Sequence, residues 1–265
     1  MLSKKLLAKS ALLVAMAAAS VTAYATHSWN GYHWGRTTSS FTLQTLDSTV
    51  SNSNAPWPSL LATAASQWSQ STKLDLNVVP YANDSTSRKK CSAVVGKIRV
   101  CNASYGRNGW LGLASINLSG GHISQGTAKM NDSYSSDWTS DSNEGKHVMC
   151  QEVGHTFGLD HQSTDGSSQN SCMDYSRSPT STAPNQHDYD ELVTIYNHTD
   201  TSNSYLARIA GSGSPAAQAA MTGDVPMGVL VHKDHFFETY VAPDGKGGLW
   251  IHHVTLAPGS EHIKL

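Results

Sequence analysis

Residues 147–161 read H-V-M-C-Q-E-V-G-H-T-F-G-L-D-H, and within them Glu152, His155, Gly158 and His161 fall in the spacing E-x-x-H-x-x-G-x-x-H. Each residue type suits one task in metal-assisted hydrolysis. On a helix, position 151 lies one turn before His155 on the same face, so the two side chains converge on one ion. Gly158 lets the helix end in a left-handed turn, which returns His161 to that ion. Glu152 then stands beside the metal, placed to take a proton from water.

The first ligand position holds Gln151, where an H-E-x-x-H helix would have histidine. Three readings stay open. Gln151 ligates through its side-chain carbonyl, a neutral donor with roughly the reach of imidazole. Alternatively, another histidine completes the site, with His33, His122 and His187 as candidates. His147 is excluded because two helical turns, about 12 Å, separate it from His155. In the third reading the site is degenerate and holds metal loosely or not at all.

The first 25 residues read as a secretory signal, with Lys4, Lys5 and Lys9, an apolar run over 11–19, and Ala23-Tyr24-Ala25 as a cleavage site. The apolar run is shorter than the roughly 20 residues a membrane span needs. Between that site and the aromatic-rich stretch 27–36 there is no room for a sizeable pro-domain, so latency in a protease is expected to come from elsewhere or to be absent. Trp29, Tyr32 and Trp34 are expected to pack onto the domain. The expected location is extracellular or periplasmic.

A net charge of −2, with no basic cluster beyond Arg88-Lys89-Lys90, speaks against nucleic-acid and anionic-membrane partners. That basic run reads as a solvated loop. The expected partner is a protein or peptide substrate, and the expected state a monomer. Four cysteines in an exported chain imply two disulfides with three possible pairings. Proximity favours Cys91–Cys101, closing a hairpin, and Cys150–Cys172, tying the motif helix to the segment with Met173. Export also argues against a free Cys150 acting as a nucleophile with His155.

Strands are expected at 41–46, 74–79, 94–100 and 110–118, with a short edge strand at 126–131. Helices are expected up to about residue 71 after Pro56 and Pro58, and at 186–197. The polar loop 162–170 has no calcium-loop signature. The Ser/Ala/Gly-rich stretch 201–222 reads as a linker, and 223–265 as a small β appendage with strands near 229–231, 236–241 and 249–256. The fold class is α+β.

With Glu152, His155, Gly158 and His161 in place, Met173 downstream and Tyr175 two residues later, residues 151–175 resemble the metzincins, a clan of zinc metallopeptidases. The Met-x-Tyr order is the form seen in astacins and serralysins. The resemblance implies a metzincin-like catalytic domain over 26–200, with a mixed twisted sheet above a cleft and the metal helix at its floor. A smaller subdomain below would carry Met173 and the 186–197 helix. Zn2+ would be held by His155, His161 and Gln151, Glu152 would be the general base, and Tyr175 would hydrogen-bond the developing oxyanion. The strand at 126–131 would line the cleft and accept an extended peptide as an added strand. The expected function is secreted zinc-dependent endoproteolysis, and the alternative a non-catalytic binding protein on the same scaffold.

Overall fold

The computed structural model describes residues 27–53, 55–134, 143–163, 165–175, 178–205 and 225–260. The leader expected at 1–25 and most of the expected linker lie outside these residues. The elements in chain order are β1 (Phe41–Ser48), α1 (Trp57–Trp68), β2 (Leu74–Pro80), α2 (Ser85–Lys90), β3 (Ile98–Ala103), β4 (Trp110–Ser119) and β5 (His122–Asn131). They continue with α3 (Asn143–His155), α4 (Gln186–Ile195), β6 (Val229–Lys233), β7 (Phe237–Pro243) and β8 (Leu249–Leu256). A mixed α+β architecture follows, with one sheet ordered β2-β1-β3-β5-β4-β8-β7-β6.

β1, β2, β3 and β5 run parallel, and β4 pairs antiparallel with β5 and β8. Parallel strands covered on both faces read as near-continuous apolar runs, and β3 is buried at every position. α1 turns Trp57, Leu61, Ala64, Ala65 and Trp68 inward at helical spacing. The Trp68 indole donates to the Cys150 carbonyl at 3.0 Å, which docks α1 on the motif helix α3.

Four sequence expectations need correction. The strand at 126–131 is not an edge: β5 lies between β3 and β4, and β4 in turn lies between β5 and β8. The segment Arg88-Lys89-Lys90 is the last turn of α2, not a loop. Asp84 caps that helix by accepting from the Thr86 and Ser87 amides. Cys91 and Cys101 are bonded, but not across a hairpin: β3 pairs only in parallel, and the bridge ties the end of α2 to β3. Finally, β6–β8 continue the main sheet through β8 on β4.

The second disulfide, Cys150–Cys172, fastens α3 to the turn that carries Met173. Met173 is fully buried beneath the helix, and its sulfur lies 2.7 Å from where a Cβ on Gly154 would sit. α4 begins with a reciprocal cap between Asn185 and Asp188.

Gly158 ends the motif helix with φ +102°, and a Cβ there would lie 2.0 Å from the Tyr32 carbonyl. A side chain meets both a backbone penalty and an immovable atom. Gly158→Ala should therefore destabilise the protein by about 1–3 kcal/mol or more in chemical denaturation. Unchanged stability would show that the 27–36 segment does not dock here.

Candidate metal centre

α3 is a buried helix: Val148, Met149, Cys150, Gln151, Glu152, Val153, Gly154 and His155 are all at most 1% exposed or classed as core. Its last turn presents His155, and the Gly158 turn carries the chain back so that His161 faces it, ring centroids 4.6 Å apart. The third member comes from the far end of the chain. His253 on β8 stacks edge-on against both rings, with centroids at 4.3 Å from each. His155, His161 and His253 each offer one ligand atom, and these atoms lie within 4.8 Å of one another.

The hydrogen bonds around this group orient it. His155 Nδ1 faces the Leu159 carbonyl at 2.8 Å, so that nitrogen donates and Nε2 keeps its lone pair. His155 Nε2, His161 Nε2, His253 Nδ1 and Glu152 Oε2 are all buried with no partner. Each such atom costs about 1–3 kcal/mol if nothing satisfies it, so the three imidazoles gathered here favour an occupant. Such a set of imidazole nitrogens suits a divalent transition metal of the zinc type.

Burial also sets the protonation states. It pushes the Glu152 carboxyl up to about 8, against the opposing pull of hydrogen bonds from Thr255 and the Ala114 amide. Burial pushes His155 down to about 4, and holds His161 and His253 well below the ordinary imidazole value. Without a cation the group is therefore uncharged at neutral pH, with its imidazole lone pairs available.

Gln151 is held away from such a role by its own bonds. Its Nε2 donates to the carbonyls of Cys172 (3.0 Å) and Asp174 (2.9 Å) on the methionine turn. That fixes the amide orientation, since the reverse flip would set carbonyl against carbonyl. The Oε1 then points at the Thr255 hydroxyl, 3.1 Å away. The same hydroxyl lies 2.6 Å from Glu152 Oε1, so it serves one acceptor at a time. Tyr175 places its phenol on His161 Nδ1, and its ring stacks on Phe236 and Phe237.

The site is covered. β8 pairs with β4 from Trp110 to Leu118, setting His253 opposite Ala114 and Thr255 opposite Gly112. Trp29 lies flat on His155, and Phe237 packs against His161 and His253. Glu152, His155 and His253 are 0% exposed. A neighbouring pocket reaches Gln151, Tyr175 and Thr255 but stops short of them.

Of the residues read from the sequence, His155, His161 and Tyr175 are in contact, while Gln151 and Glu152 meet at the Thr255 hydroxyl. The other candidate histidines lie elsewhere: His33 and His122 surround Asp200, and His187 stacks on His27. His253 was missed, because it sits 92 residues beyond His161 in a segment read as an appendage. Its only sequence signal was the His252-His253 pair in a strand, where alternation turns one ring to each face.

Zn2+ affinity of the full-length protein separates the two candidates for the third donor. His253→Ala should weaken binding by orders of magnitude, while Gln151→Ala, which disturbs only the surrounding hydrogen bonds, should cost about 10–100-fold. The opposite ranking would make Gln151 the ligand with β8 in place.

No protein-family model matches the chain, and no curated protein matches it either.

Proposed function

We propose that the chain is a secreted, zinc-dependent endopeptidase of metzincin type, closed in this conformation by its own C-terminal strand. The observation that carries the reading is the set of unpartnered atoms on Glu152, His155 and His161, delivered by the E-x-x-H-x-x-G-x-x-H helix above a buried methionine turn. The mixed sheet with α3 packed beneath β4 and β5 supports it further. The two disulfides suit export, and among the described residues no helix is long and apolar enough to cross a membrane.

His155 and His161 would hold the metal with either His253 or Gln151 as third donor. When bound, zinc would polarise a scissile carbonyl and acidify a water. Glu152 would be the base: its Oε2 has no protein partner, and once β8 leaves and the burial that favours its protonated form is relieved, the carboxylate can accept a proton. It takes the proton from the attacking water and returns it to the leaving amine. Tyr175, seated on His161, is the nearest phenol to donate to the developing oxyanion.

A peptide would bind by adding beside β4, in the place that β8 occupies. β8 lies on β4 in antiparallel register over eight pairs. Hydrolysis therefore requires β8 to leave. Its departure withdraws His253 and the Thr255 hydroxyl together, which frees Glu152 Oε1 and the Gln151 carbonyl in one step. Gln151 would then be the candidate third donor, so that the residue at position 151 and the histidine on β8 would serve two states of one site.

The second reading, a non-catalytic protein with a sealed metal site, is favoured by the complete burial of Glu152 and His155. One series decides between them. A recognition sequence for a specific protease is placed between residues 205 and 225 of the full chain, and casein hydrolysis is followed before and after cutting there. The endopeptidase reading expects turnover to rise at least tenfold on cutting, to vanish with chelator, and to vanish in Glu152→Gln while zinc stays bound. A cut protein that binds zinc, has shed β8 and remains inert would establish the second reading.

A further inference from the structure

Apart from the buried centre, three chain segments bring donor atoms to one point. His33 Nε2 and His198 Nε2 are 3.0 Å apart, and Asp200 Oδ1 lies 3.4 Å from the first and 3.5 Å from the second. The Oδ1 atom is also reached by His122 Nε2 at 3.0 Å, from the start of β5. Donors bound at about 2.0–2.1 Å in a tetrahedral site stand about 3.3 Å from one another. The three separations among His33, His198 and Asp200 bracket that value.

We infer that His33, His198 and Asp200 form a second divalent-cation site of the zinc type, with His122 adjoining as the nearest fourth donor.

The surrounding bonds aim these atoms as they would in a ligand set. His33 Nδ1 lies 2.7 Å from the Gly31 carbonyl and so must donate to it, leaving a lone pair on Nε2 of the neutral ring. That lone pair faces a carboxylate oxygen and another ring nitrogen. Two acceptors turned toward each other repel unless a cation or a proton lies between them. Asp200 is pinned in the same way: its Oδ2 accepts from the Arg36 amide at 2.9 Å, and its own amide donates to the Arg36 carbonyl at 2.7 Å. Oδ1 is thereby left pointing at the imidazoles. The His33 ring stands at 90° to both His122 and His198, so that edges rather than faces meet.

The site would staple the fold. His33 and His198 are 165 residues apart, one in the N-terminal segment that covers His155 and the other just beyond α4. The His33 carbonyl also accepts from Ile123 of β5 at 2.8 Å. Fixing that loop with a cation removes disorder from the unfolded chain in the manner of a cross-link. The carboxylate and the half-exposed His198 distinguish it from the buried centre: ions exchange here without β8 moving.

The test titrates metal-free full-length protein with Co2+, reading stoichiometry, visible absorption and melting temperature. His198 has a 46% exposed side chain, so His198→Ala keeps the packing, and Asp200→Asn keeps an acceptor for the Arg36 amide. Wild type should bind one equivalent more than either variant, with the absorption of a tetrahedral ion, and should gain thermal stability on loading that both variants lose. Because the readout is a difference between proteins, it stands whether the buried centre fills or not. Equal stoichiometry in all three, with equal melting shifts, would mean that the cluster is held by protons alone and overturns the site.

Discussion

Sealing polar atoms away from water without giving them protein partners is the constraint on which the rest of this structure turns. Glu152, His155, His161 and His253 are packed as tightly as the leucines around them, yet each keeps one nitrogen or oxygen unsatisfied. A hydrophobic core tolerates few such atoms, and holding them in place calls for rigid neighbours. Trp68 fixes α3 through the Cys150 carbonyl, Met173 fills the space under Gly154, and the Cys150–Cys172 bridge holds helix and turn together. Each of these serves the placement of two histidines and one carboxylate.

The C-terminal strand answers the same constraint from above. Without β8, the edge of β4 would expose unpaired backbone, and Glu152 would meet solvent. With it, the edge is satisfied and the Thr255 hydroxyl lies against the carboxylate. Completing the site and closing it are thus one packing event. The Thr255 hydroxyl of β8 also engages the Gln151 carbonyl.

The covering N-terminal segment has a parallel logic. Trp29 lies on His155, Trp34 donates to the Thr156 carbonyl, and His33 turns the other way toward Asp200. The aromatic-rich stretch is therefore a strap between the buried centre and the histidine cluster beyond it, anchored at both ends by polar contacts.

By itself the sequence determined the local parts. The spacing of Glu152, His155, Gly158 and His161 is set by helical geometry and a left-handed turn, both properties of adjacent residues, and the structure has the helix, the turn and the His155–His161 contact. Most strand positions and the α+β class follow from short-range pattern in the same way, whereas the cysteine pairing was favoured by proximity and settled by the fold. What only the tertiary structure decided involves residues far apart in the chain. That β5 is internal, between β3 and β4, depends on strand order, to which periodicity is blind. That His253 meets His161 across 92 residues, and His198 meets His33 across 165, depends on β8 joining the sheet and on the chain returning past α4. A histidine's ability to bind a metal is written in its side chain, but its neighbours are chosen by the packing of elements whose pairing carries no signature within any short stretch of sequence.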